Sequence, residues 1–124
     1  MSKREKINYL EFPAKDLAAT KVFFNQVFKW EFTDYGPEYI AFKEESGFNG
    51  GFYQSDLYSC SNNGAALTIF YSANIMRTEQ KITAAGGEIT TPLFTFPGGV
   101  RFHFSDPNGN EFGVWSESEQ VQPE

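Results

Sequence analysis

Apolar side chains recur along this chain at two spacings, and the alternation between them runs through twice. Ile7 to Phe12 reads as a strand that Pro13 ends. Asp16 then caps a helix from Leu17 to about Phe28, with Leu17, Phe24, Val27 and Phe28 on one face at helical spacing. Trp30 to Asp34 is strand-like, and Tyr35-Gly36-Pro37-Glu38 is a turn. Tyr39 to Lys43 is a strand, Glu44 to Phe48 a turn, and Gly50 to Gln54 the strand that follows.

The pattern then restarts. Ala65 to Tyr71 is an apolar strand, and Asn74 caps a helix carrying Ile75, Ile82 and Ala85. Gly86-Gly87 stops that helix, as a glycine C-terminal cap does. Glu88 to Thr91 is a strand, Pro97-Gly98-Gly99 a turn, and Val100 to Phe104 a strand. Asp106-Pro107-Asn108-Gly109-Asn110 is a turn, and Glu111 to Trp115 is the last strand. The polar tail from Ser116 to Glu124 is expected to fray.

Particular residues recur with the pattern. Asp16, Leu17 and Thr20 return as Asn74, Ile75 and Thr78, 58 positions on. Phe42, Gly47, Gly51 and Tyr53 return as Phe104, Gly109, Gly113 and Trp115, 62 positions on. The drift of the offset is a loop insertion after the helices. The chain thus reads as one α+β domain over 1–124, made of two βαβββ modules at about 6–56 and about 64–117. One such unit leaves a sheet face uncovered, so two must pair, and the pair would enclose a cavity suited to a small ligand.

Composition narrows the function classes. Fourteen Phe, six Tyr and two Trp supply a core, and a charged fraction of 21% argues against a disordered chain. The net charge of -6 argues against nucleic acid or an anionic membrane as partner, both of which call for basic patches. Cys60 is the single cysteine, set in a polar loop with no His or Asp neighbour there to activate it. The charged start 1–6 runs straight into a strand pattern, with no apolar signal segment, so the expected location is the cytoplasm.

Two stretches carry a family resemblance. Leu10-Glu11-Phe12-Pro13-Ala14-Lys15-Asp16-Leu17-Ala18-Ala19-Thr20, with Phe23-Phe24 and Val27-Phe28-Lys29-Trp30, resembles the first module of single-domain vicinal oxygen chelate proteins, the glyoxalase, bleomycin-resistance and dioxygenase type. Asp106-Pro107-Asn108-Gly109-Asn110-Glu111-Phe112 resembles the turn and strand that close their second module. The resemblance implies a pair of curved antiparallel sheets around a cavity, commonly a homodimer, with sites near the module interfaces. It also implies metal-ligand positions seven residues before the helix cap and four after the turn glycine. Those positions hold Tyr9, Leu67, Gly51 and Gly113 here, none of them a ready donor for a divalent ion. A slipped register could bring in Glu11 or Glu111, but the second half offers only Ala65, Leu67 and Ile69 on the matching face. No metal centre and no cofactor are therefore expected.

Alternation along the strands places Ile7, Tyr9 and Glu11, then Gly51 and Tyr53, on the cavity side of the first module. Ala65, Leu67, Ile69, Glu111, Gly113 and Trp115 face in from the second. The two glycines are expected to leave extra room. Tyr9, Tyr53, Leu67, Arg101 and Trp115 are the candidate ligand contacts, the aromatics for stacking and Arg101 for an anionic group. Glu11 and His103 are the candidate acid–base residues. Glu11 qualifies if apolar burial raises its affinity for a proton, and His103 because imidazole titrates near neutrality. The plainer alternatives are a solvent-facing or ion-paired Glu11 and a His103 that only satisfies a hydrogen bond. The chain is read first as a protein that binds a small aromatic or hydrophobic molecule. A lyase, isomerase or dioxygenase relative, metal-dependent or not, is the alternative, and a scaffold whose pocket is self-filled is the third.

Overall fold

The computed structural model describes residues 5–43 and 47–117. The expected turn at 44–46, the charged start at 1–4 and the tail from 118 lie outside the described residues. The first module runs β1 (Tyr9–Ala14), α1 (Leu17–Phe28), β2 (Phe32–Asp34), β3 (Tyr39–Phe42) and β4 (Asn49–Gln54). A 3₁₀ turn, Ser61–Asn63, follows. The second module runs β5 (Thr68–Tyr71), α2 (Ile75–Ala84), β6 (Glu88–Phe96), β7 (Gly99–Ser105) and β8 (Glu111–Ser116). Neither helix is long and apolar enough to cross a membrane.

Each module forms one four-stranded sheet, in the orders β1-β4-β3-β2 and β5-β8-β7-β6. The sheets are mixed rather than antiparallel throughout, because β1 runs parallel to β4 and β5 parallel to β8. The helix after each first strand carries the chain back across the sheet, so the last strand returns in the first strand's direction. The duplication reaches the register. Leu10 pairs with Gly50, and Thr68, 58 positions after Leu10, pairs with Phe112, 62 positions after Gly50. The caps repeat as well: Asp16 accepts from the Ala19 N–H and Asn74 from the Arg77 N–H, while the Thr20 and Thr78 hydroxyls bond back to the Asp16 and Asn74 carbonyls.

Several boundaries differ from the expectation. Pro13 lies inside β1, opposite Tyr53, because β1 is an edge strand and an edge tolerates a missing N–H. β6 likewise runs on through Pro92 to Phe96. It too is an edge strand, and its pairing with β7 shifts register between Thr91 and Phe94, which absorbs the proline in a bulge. β5 starts only at Thr68, which leaves Ala65 and Leu67 outside the strand. Ser116, expected in the tail, is buried in β8.

The helix side of both sheets forms one aromatic core. Phe23, Phe24 and Val27 of α1 are fully buried, and Phe24 packs on Phe52 of the first sheet and Phe112 of the second at 5.4 and 5.6 Å between ring centres. Phe12 meets Phe112 directly at 5.3 Å. Each such ring contributes about 1.5–3 kcal/mol by leaving water, so the shared core binds the two modules together. The opposite, helix-free faces of the sheets are therefore the ones left to carry function.

Candidate functional site

Strand alternation sends every second side chain to the helix-free faces, and each face gathers a polar network. On the first sheet, Tyr9 and Glu11 of β1 meet Tyr39 of β3. The Tyr39 hydroxyl donates to Glu11 Oε2 at 3.0 Å and lies 2.7 Å from the Tyr9 hydroxyl. Since Tyr39 has one proton to give, Tyr9 donates to Tyr39. Burial pushes the Tyr39 hydroxyl well above its ordinary range, and the bonds to Tyr9 and Glu11 add to the shift. Glu11 itself is exposed, the plainer of the two alternatives for it, so apolar burial does not act on its carboxyl.

The glycines do not leave room. Gly51 lies under the Tyr39 phenol, and a Cβ there would overlap that ring and stand 2.8 Å from the Ile40 carbonyl oxygen. At Gly113 a Cβ would press on Ile69 at 3.3 Å and on His103 Cδ2 at 3.4 Å. The space expected over both positions is filled by the protein's own side chains. Period-two alternation marks Tyr39 as facing the same side as Gly51, but its reach across that glycine depends on the β3–β4 register, which sequence does not supply.

On the second sheet a chain of four residues runs Arg101, His103, Glu111, Ser61. Arg101 Nε and Nη2 lie 3.2 and 2.8 Å from His103 Nε2, and His103 Nδ1 lies 3.1 Å from Glu111 Oε2. A guanidinium has only donors, so Nε2 accepts and the imidazole carries its proton on Nδ1, facing the carboxylate. The Ser61 backbone N–H and hydroxyl both donate to Glu111 Oε1, at 2.8 and 2.7 Å. Desolvation works to raise the Glu111 carboxyl, but these bonds and His103 outweigh it and hold the group below the usual range. The side chains of His103 and Glu111 are only 14% and 12% exposed.

Beside this chain lies a groove of about 300 Å³, lined by Ile69, Phe96, Gly98, Arg101 and Trp115. Arg101 stands directly opposite Trp115 in the β7–β8 ladder. Its guanidinium carbon is 5.6 Å from the ring centres of both Phe94 and Phe96, and Phe96 meets Trp115 edge-on at 6.2 Å. A second cavity, of about 320 Å³, opens between the modules against Leu10, Trp30, Phe42, Phe48 and Phe70.

Of the sequence candidates, Tyr9 and Glu11 come together on the first sheet, and Arg101, His103 and Trp115 on the second. Glu11 and His103 stand in different sheets. Tyr53, 37% exposed on β4, and Leu67, ahead of β5, line neither of the two cavities. Tyr39, Ser61, Phe94 and Phe96 were not among the candidates. Phe94 and Phe96 follow a proline that argues against a strand, and Ser61 reaches Glu111 from a loop 50 positions away.

The residues present do not fit a divalent ion at the family's ligand positions. Leu67, Gly51 and Gly113 bring no donor atom, the Tyr9 hydroxyl is engaged with Tyr39, and the Tyr39 phenol covers Gly51. Among the described residues there is no group of three or more His, Cys, Asp or Glu placed to hold a metal.

Comparison with known proteins agrees with the fold. The model of the Glyoxalase/Bleomycin resistance protein/Dioxygenase superfamily matches residues 6–114. No curated protein sequence matches. Among solved structures, a glyoxalase-related enzyme from Fulvimarina pelagi is 17% identical, with 91% of this chain and 88% of that one covered and a TM-score of 0.74. A mutant of the fosfomycin resistance protein FosX from Listeria monocytogenes, complexed with Mn(II) and 1S,2S-dihydroxypropylphosphonic acid, is 20% identical, with 94% of each chain covered and a TM-score of 0.75. A glyoxalase/bleomycin resistance protein/dioxygenase family enzyme from Burkholderia phytofirmans is 15% identical, with 88% of this chain and 96% of that one covered and a TM-score of 0.71.

Proposed function

Because the chain belongs to the Glyoxalase/Bleomycin resistance protein/Dioxygenase superfamily, yet does not carry metal donors at the family's ligand positions, we propose that it binds a small aromatic molecule without a metal. The binding place is the groove between Phe96 and Trp115 on the helix-free face of the second sheet. The observation that carries this reading is the groove's make-up: two aromatic walls, an aliphatic one in Ile69 and a single cation, Arg101. A volume of about 300 Å³ is at the small end for ligand pockets, which run from about 300 to 1,000 Å³. Flat rings gain most from such walls, by stacking or edge contacts on Trp115 and Phe96.

The test is a panel of mono- and bicyclic aromatic compounds screened by melting temperature and by quenching of tryptophan fluorescence. Binders should stabilise the protein, and Trp115→Ala should remove both responses while Tyr53→Ala leaves them. A panel with no binder, or binders indifferent to Trp115, would overturn the reading.

The second reading, an enzyme, is favoured by the His103–Glu111 pair. Such a pair orients an imidazole for base catalysis, but the reacting nitrogen, Nε2, is held by Arg101 at rest. Tyr9, Tyr53, Ile69, Tyr71 and Phe94 are exposed large side chains on the helix-free faces. That supports a homodimer closing over them, which light scattering tests. A cytoplasmic location remains part of the proposal and is checked by fractionation.

A further inference from the structure

We infer that the ligand of this groove carries a carboxylate, and that the carboxylate draws the Arg101 guanidinium off His103 and leaves the ring nitrogen Nε2 free to bind a proton. The inference rests on the groove-binding reading above and adds to it the ligand's charge and the site's response.

The argument begins with an unusual placement of charge. Arg101 forms part of the groove wall, and among the described residues no carboxylate stands within ion-pair distance of it. Two of its donors are spent on a single nitrogen of a neutral imidazole. The nearby carboxylate, Glu111, is one residue further along and already takes two bonds from Ser61 and one from His103. A guanidinium fork matches a carboxylate in two parallel, charge-assisted bonds, about twice as strong as bonds to a neutral acceptor. A ligand carboxylate in the groove therefore outcompetes Nε2 for Arg101.

Charge balance gives the second half. At rest Arg101 and Glu111 cancel across a neutral His103. A bound carboxylate brings one more negative charge into a half-buried site. The imidazole then gains a proton from solvent on Nε2 while Nδ1–H stays on Glu111, which restores neutrality. The ionisable groups facing His103 are Arg101 from its own strand β7 and Glu111 from β8. Strand β6 contributes Thr91 and the Phe94 ring, at 5.9 Å, neither of which titrates.

His103 is the only histidine in the chain, so its ring can be followed by NMR without ambiguity. The probes are naphthoate and its uncharged methyl ester, titrated at pH 7 by calorimetry and by imidazole NMR. Naphthoate should bind at least tenfold more tightly than the ester, move the His103 signals toward the imidazolium form and take up protons in buffers of differing ionisation enthalpy. The ester should bind without moving the imidazole toward that form. Arg101→Gln should equalise the two affinities and abolish the proton uptake, with Arg101→Lys between. Equal affinities in the wild type overturn the carboxylate while leaving groove binding standing. Preference for naphthoate with an unmoved His103 overturns the coupling. Failure of both probes, with Trp115 fluorescence unchanged, overturns this inference together with the binding reading.

Discussion

The Asn110 side-chain amide donates to the main-chain carbonyl of Pro13 at 2.7 Å, across 97 positions of sequence. The same amide group accepts the Ser59 N–H at 2.8 Å through its oxygen. Two residues earlier, Asn108 Oδ1 accepts the N–H groups of both Lys15 and Asp16, and its Nδ2 donates to the Thr20 hydroxyl. The Asp106–Asn110 turn therefore does more than reverse the chain before β8. It fastens the second module to the β1–α1 junction of the first. Asp106 holds both amides and two backbone N–H groups, and burial pushes its carboxyl up against those bonds. Asn110→Ala takes the side-chain partner from the buried Pro13 carbonyl and from the part-buried Ser59 N–H. It should cost about 2–4 kcal/mol, since each buried unsatisfied group costs about 1–3. Urea unfolding measures this, and a loss under about 1 kcal/mol would show that the turn is not a latch.

What was legible in the sequence and what was not follows the range of the interactions. The helix caps Asp16 and Asn74, the helix faces and the two modules were readable, because capping and periodicity are local. The offset of 62 between Phe42 and Phe104 even anticipates the strand bounds, since β4 and β8 coincide under it. Pro13 misled because a proline reads as a strand breaker, and only the sheet order shows that it and Pro92, just past the expected end of the strand from Glu88, both sit on edge strands. The metal positions were implied by the family resemblance, and the absence of donors there is a matter of residue type. The filling of the space above them was not readable. It depends on Tyr39 reaching across Gly51, on Ile69 and His103 closing over Gly113, and on pairings between strands that are distant in sequence.

That filling can be tested at Gly51. A methyl there meets the Tyr39 ring and the Ile40 carbonyl, so Gly51→Ala should destabilise the fold by about 1–3 kcal/mol, the usual cost of overpacking. In a Tyr39→Ala background the ring clash is gone and only the carbonyl contact remains. The Gly51→Ala cost should then shrink by about half or more, read as a coupling energy from chemical denaturation of the four proteins. Additive effects would mean that Tyr39 does not occupy this space.

Glu111 gives the pH dependence a definite sign. Its folded-state affinity for protons is lowered from the ordinary 4.5. The stability it contributes is thus fully present above 4.5 and is lost as pH falls below that value through the lower folded one. Glu111→Gln should be less stable than the wild type at neutral pH, with the gap narrowing as pH drops from 5 toward 3. Thermal melts of the two proteins across that range check it, and a gap that widens on acidification would reverse the assignment.

Divalent ions provide the sharpest test of how this chain departs from metal-binding members of its fold. A Tyr39 hydroxyl pushed up by burial stays protonated through neutral pH, so it donates to Glu11 rather than coordinating. The Tyr9 hydroxyl is spent on Tyr39, and Gly51, Gly113 and Leu67 supply no donor. On the second sheet both nitrogens of the one histidine are engaged, by Arg101 and by Glu111. An ion bound at the exposed Glu11 carboxylate would have to break one of these networks to gather further donors from either face. Mn²⁺, Ni²⁺ or Zn²⁺ should therefore leave the melting temperature unchanged, and chelators should have no effect. An ion at 100 times its Kd would add about 2.7 kcal/mol, several degrees for a chain of this size. A stoichiometric ion that raised the melting temperature, and lost that effect in both Tyr9→Phe and Glu11→Gln, would show that the first network opens to become a metal site.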